Sequence, residues 1–564
     1  MSVTMLAPQQ QRVSHPPLSW TCTGAPGIHH IPSLATAALK TLNTPERNRI
    51  KKPRQNGNMR LTRPSESRSF GLLHIDEEAR VLELETSYES RAGTDGQGSS
   101  AEACFSGQAL DKVLSEMVIV VPCKDEQLAV IRGVISAIPA ACFVILVSNC
   151  QREDGDDEYE QQVAMVKAFG GYDRQILAIH QKDAAAAAAF CASGMAELID
   201  PADGTIRDGK GEGMLLGVAM AAAFCHERHY IGFVDADNFN AGSVNEYCKA
   251  FAAGFAMSPR PEQEDTMVRL RWSSKPKMRN GRLDFVTEGR CSRIVNSWLD
   301  KLLVPGPQQE DNNHRGQPHT KPDNPFVTTG NAGEHAMTMS LALKLRMAAG
   351  YAIEPFHFID LLERAHLRSS SGGKQVNGLD GANRTNGNSW WIADKATKTT
   401  NPLDKPVRVL QIRTLSPHFH RSSDDEHIRQ MWATGLGSIF HGLAPYHSMP
   451  RCDDDGVSKL RQHIHDFAAT NGGIDDATGE LPQPNIYPAL EGIDLKRFRA
   501  VLGPSAGTGS LMAYGLSLQE QEDLSRTRLT AFYFACFLSA LGVFRQFVAA
   551  FATHSWTGTV ARHL

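Results

Sequence analysis

The stretch His229-Tyr230-Ile231-Gly232-Phe233-Val234-Asp235-Ala236-Asp237-Asn238 decides the fold. An apolar, strand-forming run ends abruptly in two carboxylates spaced i, i+2. Strand side chains alternate faces, so a continuing strand would keep both carboxylates on one side. A turn after Asp235 instead sets both along the carboxyl edge of a sheet, where open α/β sheets bind their ligands. Two hard oxygen ligands at such an edge suit Mg²⁺ or Mn²⁺ bridging to a diphosphate. Asp-x-Asp alone also describes a solvated turn after a strand, so its weight comes from its neighbours.

Upstream, Met117–Val121 is a continuous apolar run bounded by Pro122, the pattern of a fully buried parallel strand. Pro122 is expected to end its ladder. Cys142–Val147 and Gln175–Ile179 read as further strands, with Ser148 at the edge of the first of them. Helices are expected over Ala109–Glu116, Gln127–Ile138, Gln161–Ala168, Asp183–Ala192 and Glu212–Arg228. This alternation predicts an α/β domain around a parallel, Rossmann-like sheet. No Gly-x-Gly-x-x-Gly follows the first strand, which disfavours a dinucleotide dehydrogenase.

Beyond Asn238 the pattern changes. Thr266–Trp272 and Arg282–Phe285 read as strands, the latter after an Asn280-Gly281 turn signal. Ala336–Ala349 and Pro355–His366 read as helices. Pro305–Pro325, Ser369–Asn401 and Asp453–Pro488 are long and polar, and read mainly as surface loops and insertions.

A chain of 564 residues can hold two or more domains. Its net charge of −4 gives no argument for nucleic acid or a membrane surface as partner. Eleven cysteines without a Cys-x-x-Cys pair suit reduced thiols in a cytoplasmic setting. The start of the chain is rich in Ser, Thr, Pro and Gln, with Arg47, Arg49, Lys51, Lys52 and Arg54 against a lone Glu46. No secretory signal opens it, and its prolines work against an amphipathic presequence, so a disordered tail is expected. Leu529–Phe544 is almost wholly apolar but shorter than the roughly 18–20 residues of a spanning helix. It reads as a buried or surface-docked terminal helix.

Several short stretches carry candidate chemistry. Pro122-Cys123-Lys124-Asp125-Glu126 leaves the first strand towards the ligand crevice. Asp208-Gly209-Lys210-Gly211-Glu212-Gly213 precedes a helix; its glycines permit close backbone approach and Lys210 offers a point charge to a diphosphate. It is not a Walker motif, and an ordinary Gly-rich turn has the same composition. Gly289-Arg290-Cys291-Ser292 can hold a phosphate or carboxylate through Arg290. Glu334 opens an expected helix, where capping alone accounts for an acid. His418 and His420, at i, i+2, could complete a metal shell begun by the carboxylates.

In order, the stretches FGLLHIDEEARVLELE (from Phe70), VVPCKDE (Val120), DGKGEGM (Asp208), FVDADN (Phe233), VNEY (Val244), MVRLRW with SSKPK (Met267), GNAGEHAMT (Gly330) and SPHFH (Ser416) resemble the mannosyl-3-phosphoglycerate synthases. These are retaining glycosyltransferases of the GT-A type. The resemblance runs from about Met59 to Met431. It implies mannosyl transfer from GDP-mannose to 3-phosphoglycerate, a step towards mannosylglycerate, with a divalent metal, Mg²⁺ or Mn²⁺, as cofactor. By the same resemblance Pro122, Lys124, Glu126 and Ser148 hold the guanosine, and Lys210 the diphosphate. Asp237 with His418 or His420 ligates the metal, Asp235 contacts ribose or metal, and Glu334 lies near the sugar hydroxyls. Asp235, Asp237 and Glu334 form the implied catalytic set. Glucosyl-3-phosphoglycerate synthases hold their acceptor with a Gly-Arg-Val-Thr stretch, which Gly289-Arg290-Cys291-Ser292 resembles with Cys291 and Ser292 as departures.

The implied organisation is a tail over 1–58, a nucleotide-sugar-binding GT-A region over 59–260, a smaller mixed α/β acceptor-side and metal-completing region over 261–500, and a helical segment over 501–564. A homodimer is compatible with it. The rival readings are a glucosyl transferase of the same fold, a sugar-1-phosphate nucleotidyltransferase and a non-catalytic sugar-nucleotide-binding protein. The nucleotidyltransferase lacks its expected Gly-rich, Arg-containing loop after the first strand, and the metal-ligand residues argue against the binding protein.

Overall fold

The structure, a computed structural model, describes residues 58–84, 101–303, 325–370, 403–419, 425–443, 455–505 and 511–514, with short breaks at 154–155, 173, 226, 239, 259–261 and 280. The expected tail, the polar stretches 304–324 and 371–400, the apolar segment Leu529–Phe544 and His420 lie outside the described residues.

The central sheet is built from seven strands: β1 (Met117–Cys123), β2 (Phe143–Ser148), β3 (Ile176–His180), β4 (Tyr230–Phe233), β5 (Asp265–Arg271), β6 (His335–Thr338) and β7 (Val407–Arg413). Their order is β3-β2-β1-β4-β6-β5-β7. All pairings are parallel except those of β6, which runs antiparallel to both β4 and β5. Shorter strands widen the sheet: Leu73–Asp76 and Ala79–Leu84 pair with β7, and Met512–Tyr514 with β3. In β1, Val118 and Val120 enter one core while Met117, Ile119 and Val121 enter the other. That period of two with both faces covered explains why the strand is apolar throughout.

Five helices matter for the site: α1 (Lys210–Phe224), α2 (Ala241–Ala256), α3 (Arg290–Leu303), α4 (Ile353–Ser370) and α5 (Asp425–Gly442). In the turn of the hairpin Lys275–Arg279/Arg282–Val286, Gly281 has φ +74°, which suits the expected turn.

Three expectations are corrected. Pro122 does not end β1: it stays in register with Val147, and Cys123 with Ser148. The Val120 carbonyl points to the β4 side, where it accepts from Val234, while Cys123 points to the β2 side and accepts from Asn149. Pro122 therefore faces the side where β4 has already ended at Phe233, and its missing N–H leaves no ladder bond unmade. Ala336–Ala349 is not one helix; its first residues are β6, followed by a helix over Met339–Lys344 and a short strand over Met347–Ala348. Two vacant ladders, from β4 and β5, override local preference there. Asp453–Pro488 is not a plain insertion, because Asp455–Thr470 forms a helix and Ile464, Ala468, Leu481 and Tyr487 are buried.

Candidate active site

One geometric fact assembles the site. The parallel strands all end at the same edge, so the residues just after β1, β2, β3, β4, β5 and β7 gather there. β6 is antiparallel, so the residue just before its start gathers there too. That residue is Glu334, and Phe233 pairs with His335 across the β4–β6 ladder. A cavity of about 860 Å³ opens at this edge. Its lining includes Pro122, Lys124, Glu126, Lys210, Asp235, Asp237, Gly289, Arg290, Ser292, Glu334 and His418. Ser148 is the exception among the described sequence-stretch candidates: it is fully buried, its hydroxyl donates to Cys150 Sγ, and its neighbour Asn149 lines the cavity instead.

Lys210 is the first residue of α1, and its ammonium lies 2.7 Å from Asp235 Oδ1 and 2.9 Å from Glu354 Oε1. Burial alone would lower the lysine's pKa; the carboxylates of Asp235 and Glu354 outweigh it and hold the group well above its ordinary value. The pocket around this trio is closed by Gly333, where a Cβ would sit 2.5 Å from Asp235 Oδ2 and 3.0 Å from Lys210 Nζ.

Glu334 is buried, and its Oε1 has no hydrogen-bond partner. Burial, then the charge of Asp235, pushes its carboxyl up to about 8, with Lys210 opposing the shift. The shift favours the protonated form, in which the group can donate.

His418 stands 3.9 Å from Glu334 Oε1 through Nδ1. The same nitrogen is 2.9 Å from the Tyr247 hydroxyl, and Asn238 Nδ2 donates to that hydroxyl at 3.3 Å. The Trp272 ring lies nearly parallel to the imidazole, 9° apart at 6.3 Å. Burial, then Lys275, pushes His418 down to about 4, so it is neutral when it faces the cavity. In the tautomer whose Nδ1–H donates to Tyr247, Nε2 would carry the lone pair that a divalent metal uses, the usual orientation of a ligating histidine. The turn bearing His418 is fixed from α2: Glu246 accepts from the Leu415 and Ser416 amides, and Ser243 Oγ donates to the Pro417 carbonyl.

Among the described residues no three His, Cys, Asp or Glu side chains converge as a ready-made metal cage. Asp237 and His418 line one cavity, and a carboxylate with a neutral imidazole fits a cation whose remaining ligands are substrate phosphate and water.

The same cavity also holds basic residues. Lys275 and Lys277 come from the hairpin after β5, and Arg290 and Arg293 from the first turn of α3. Burial, then Lys277, lowers Lys275 to about 8. Arg290 Nη1 donates to Asp425 Oδ1 at 2.9 Å. Sequence reasoning missed Glu354, Lys275, Lys277, Trp272 and the support from Glu246 and Tyr247. The stretches VNEY and SSKPK were the signals for four of these six.

A parallel sheet with one antiparallel strand inserted, an Asp-x-Asp at its edge and lysine and arginine side chains in the same cavity is the arrangement of a glycosyltransferase of the GT-A type. The family described as mannosyl-3-phosphoglycerate synthase (osmo_MPGsynth) matches residues 63–502. The mannosyl-3-phosphoglycerate synthase of Pyrococcus furiosus is 34% identical over 459 residues, covering 81% of this chain and 100% of that protein. That of Aeropyrum pernix is 28% identical over 387 residues, covering 68% and 85%. The chain belongs to the mannosyl-3-phosphoglycerate synthase family. Among solved structures, glucosyl-3-phosphoglycerate synthase from Mycobacterium tuberculosis in complex with Mn²⁺, uridine-diphosphate and phosphoglyceric acid is 14% identical, covers 59% of this chain and 82% of its own, and has a TM-score of 0.34. Among the described residues no helix is long and apolar enough to cross a membrane.

Proposed function

We propose that this cavity transfers mannose from GDP-mannose to the free hydroxyl of 3-phosphoglycerate, with retention at the anomeric carbon. The observation that carries the reading is the apposition, in one cavity, of a carboxylate edge with Lys210 and a wall of Lys275, Lys277, Arg290 and Arg293. The first suits a metal-bridged diphosphate, and the second a multiply charged acceptor.

Pro122, Lys124 and Glu126 line the cavity together with Asn149, and in this reading they take the guanosine. Lys210 offers its ammonium to the diphosphate, and Asp235 contacts the ribose. Asp237 and His418 would hold a divalent metal, which would supply Lewis-acid stabilisation of the leaving diphosphate. Arg290 orients the acceptor, so much of the barrier is removed by positioning. Glu334, carrying its proton, donates to a hydroxyl of the transferred sugar. No separate general base is required: the departing phosphate oxygen accepts the acceptor's hydroxyl proton on the same face. All eight cysteines among the described residues are free thiols, which supports a cytoplasmic enzyme.

The test is a product assay with GDP-mannose and 3-phosphoglycerate across Mg²⁺, Mn²⁺ and EDTA, with other nucleotide sugars as alternative donors. Product with retained anomeric configuration from GDP-mannose is expected. Turnover of a glucose donor in its place refutes the donor assignment.

A further inference from the structure

Glu354 belongs to no motif singled out in the sequence, and by position it is an ordinary acid in the first turn of α4. Its surroundings are not ordinary. The side chain is buried, Oε1 takes the Lys210 ammonium at 2.9 Å, and Oε2 has no hydrogen-bond partner. Its backbone is fixed from β5: Arg269, itself fully buried, donates Nη2 to the Glu354 carbonyl and Nε to the Thr329 carbonyl, both at 2.9 Å. One guanidinium thus ties Glu354 to the loop that carries Gly333 and Glu334.

Two helix amino ends meet here. Lys210 opens α1 and Glu354 lies in the first turn of α4, and the turn before α4 is held to α1 by the Gly350 amide donating to Glu212 Oε2 at 3.0 Å. Both ends present positive partial charge, which disfavours a lysine ammonium. Lys210 keeps its charge and position because carboxylates flank it. Of its two carboxylate partners, Asp235 is the one with duties towards the donor, and its side chain is 30% exposed against 4% for Glu354.

We propose that Glu354 is the positioning residue for Lys210: a permanent buried counter-ion that holds the ammonium against the donor diphosphate when Asp235 turns to the donor. The assignment rests on the proposed role of Lys210. In the free enzyme the ammonium is shared between two carboxylates. With donor bound, Glu354 keeps its share, and the diphosphate replaces Asp235.

The experiment is a double-mutant cycle with Glu354→Gln and Lys210→Met in the full chain. It is read by kcat, by both KM values, by thermal unfolding and by calorimetric binding of GDP. Glu354→Gln keeps the shape and removes the charge. It is expected to lower kcat on the order of a hundredfold, the loss expected for a positioned group displaced by about 1 Å. The acceptor KM and the unfolding temperature should stay unchanged. The two losses should not add, because Glu354 acts through Lys210. Glu354→Asp, which keeps the charge and withdraws it by one methylene, should fall in the same direction and serves if the glutamine variant does not fold. Losses that multiply in the double variant, or a Glu354→Gln kcat within twofold of the parent, overturn the proposal while leaving Lys210's own role intact. A Lys210→Met variant of full activity removes the donor role of Lys210, and this proposal with it.

Discussion

Gly333 constrains the Asp235–Lys210 pair directly, and Gly333→Ala tests it. The added Cβ would lie 2.5 Å from Asp235 Oδ2 and 3.0 Å from Lys210 Nζ. Relaxed C···O contacts lie at about 3.3–3.6 Å, so the carboxylate must retreat by about 1 Å and the ammonium by roughly half that. Displacing a positioned group by about 1 Å costs on the order of a hundredfold in rate. That is roughly 2.7 kcal/mol of lost transition-state stabilisation. Folding is affected differently. Gly333 is not among the positive-φ glycines, so alanine fits the backbone, and the obstructing atoms are side-chain ends rather than main chain. Alanine also restricts the unfolded chain, a gain of about 0.4–1 kcal/mol that offsets the disturbed ion pair. The expected signature is a hundredfold drop in kcat at saturating substrates with an unfolding temperature within a few degrees of the parent. Initial rates of product formation and a thermal melt on the same preparation decide it. A variant with kcat within twofold of the parent would refute the claim that the Asp235–Lys210 geometry is set by this backbone.

Three further outcomes are expected. Asp237→Ala should abolish metal-dependent transfer and leave the fold intact; full activity of that variant in EDTA would remove Asp237 from the metal site. Arg290→Ala should raise the acceptor KM about tenfold, the worth of one lost charge-assisted hydrogen bond, and leave the donor KM alone. An unchanged acceptor KM in steady-state kinetics excludes the contact. Tyr247→Phe removes the hydroxyl 2.9 Å from His418 Nδ1 and should weaken metal affinity about 10–100-fold without unfolding the protein. Metal titration of the rate at fixed donor reads this, and an unaltered titration assigns Tyr247 to packing alone.

How legible the fold was depended on burial. β1 to β4 could be read because strands covered on both faces become unbroken apolar runs, and each ends in polar residues at the ligand edge. β6 could not be read. Its four residues sit in an apolar stretch that suits helix or strand equally, and the deciding partners, Tyr230–Phe233 and Met267–Arg269, are remote in sequence. Pro122 was misjudged for a related reason: whether a proline breaks a ladder depends on where the neighbouring strand stops. Asp455–Thr470 looked like surface because most of its residues are polar, yet Ile464 and Ala468 fall on one buried stripe.

The site divides along the same line. Asp235 and Asp237 were legible because a strand points them to the edge, and Lys210 because glycines surround it. Glu354 was not, since an acid in a first turn is what any helix start prefers. Its meaning comes only from Lys210, 144 positions earlier in the chain and 2.9 Å away in space. The antiparallel sense of β6 matters most here. A parallel strand in that slot would carry Glu334 to the opposite edge, away from Asp235 and Asp237. Reversal of one four-residue strand thus sets the buried acid beside the metal-type ligands. The cavity then holds both signs of charge, with Asp235, Asp237 and Glu334 in the same lining as Lys275, Lys277, Arg290 and Arg293. Arg290 is already paired with Asp425, and Lys275 lies within the field of Asp237 and Glu334, so an anionic acceptor would have to compete with these carboxylates for both cations.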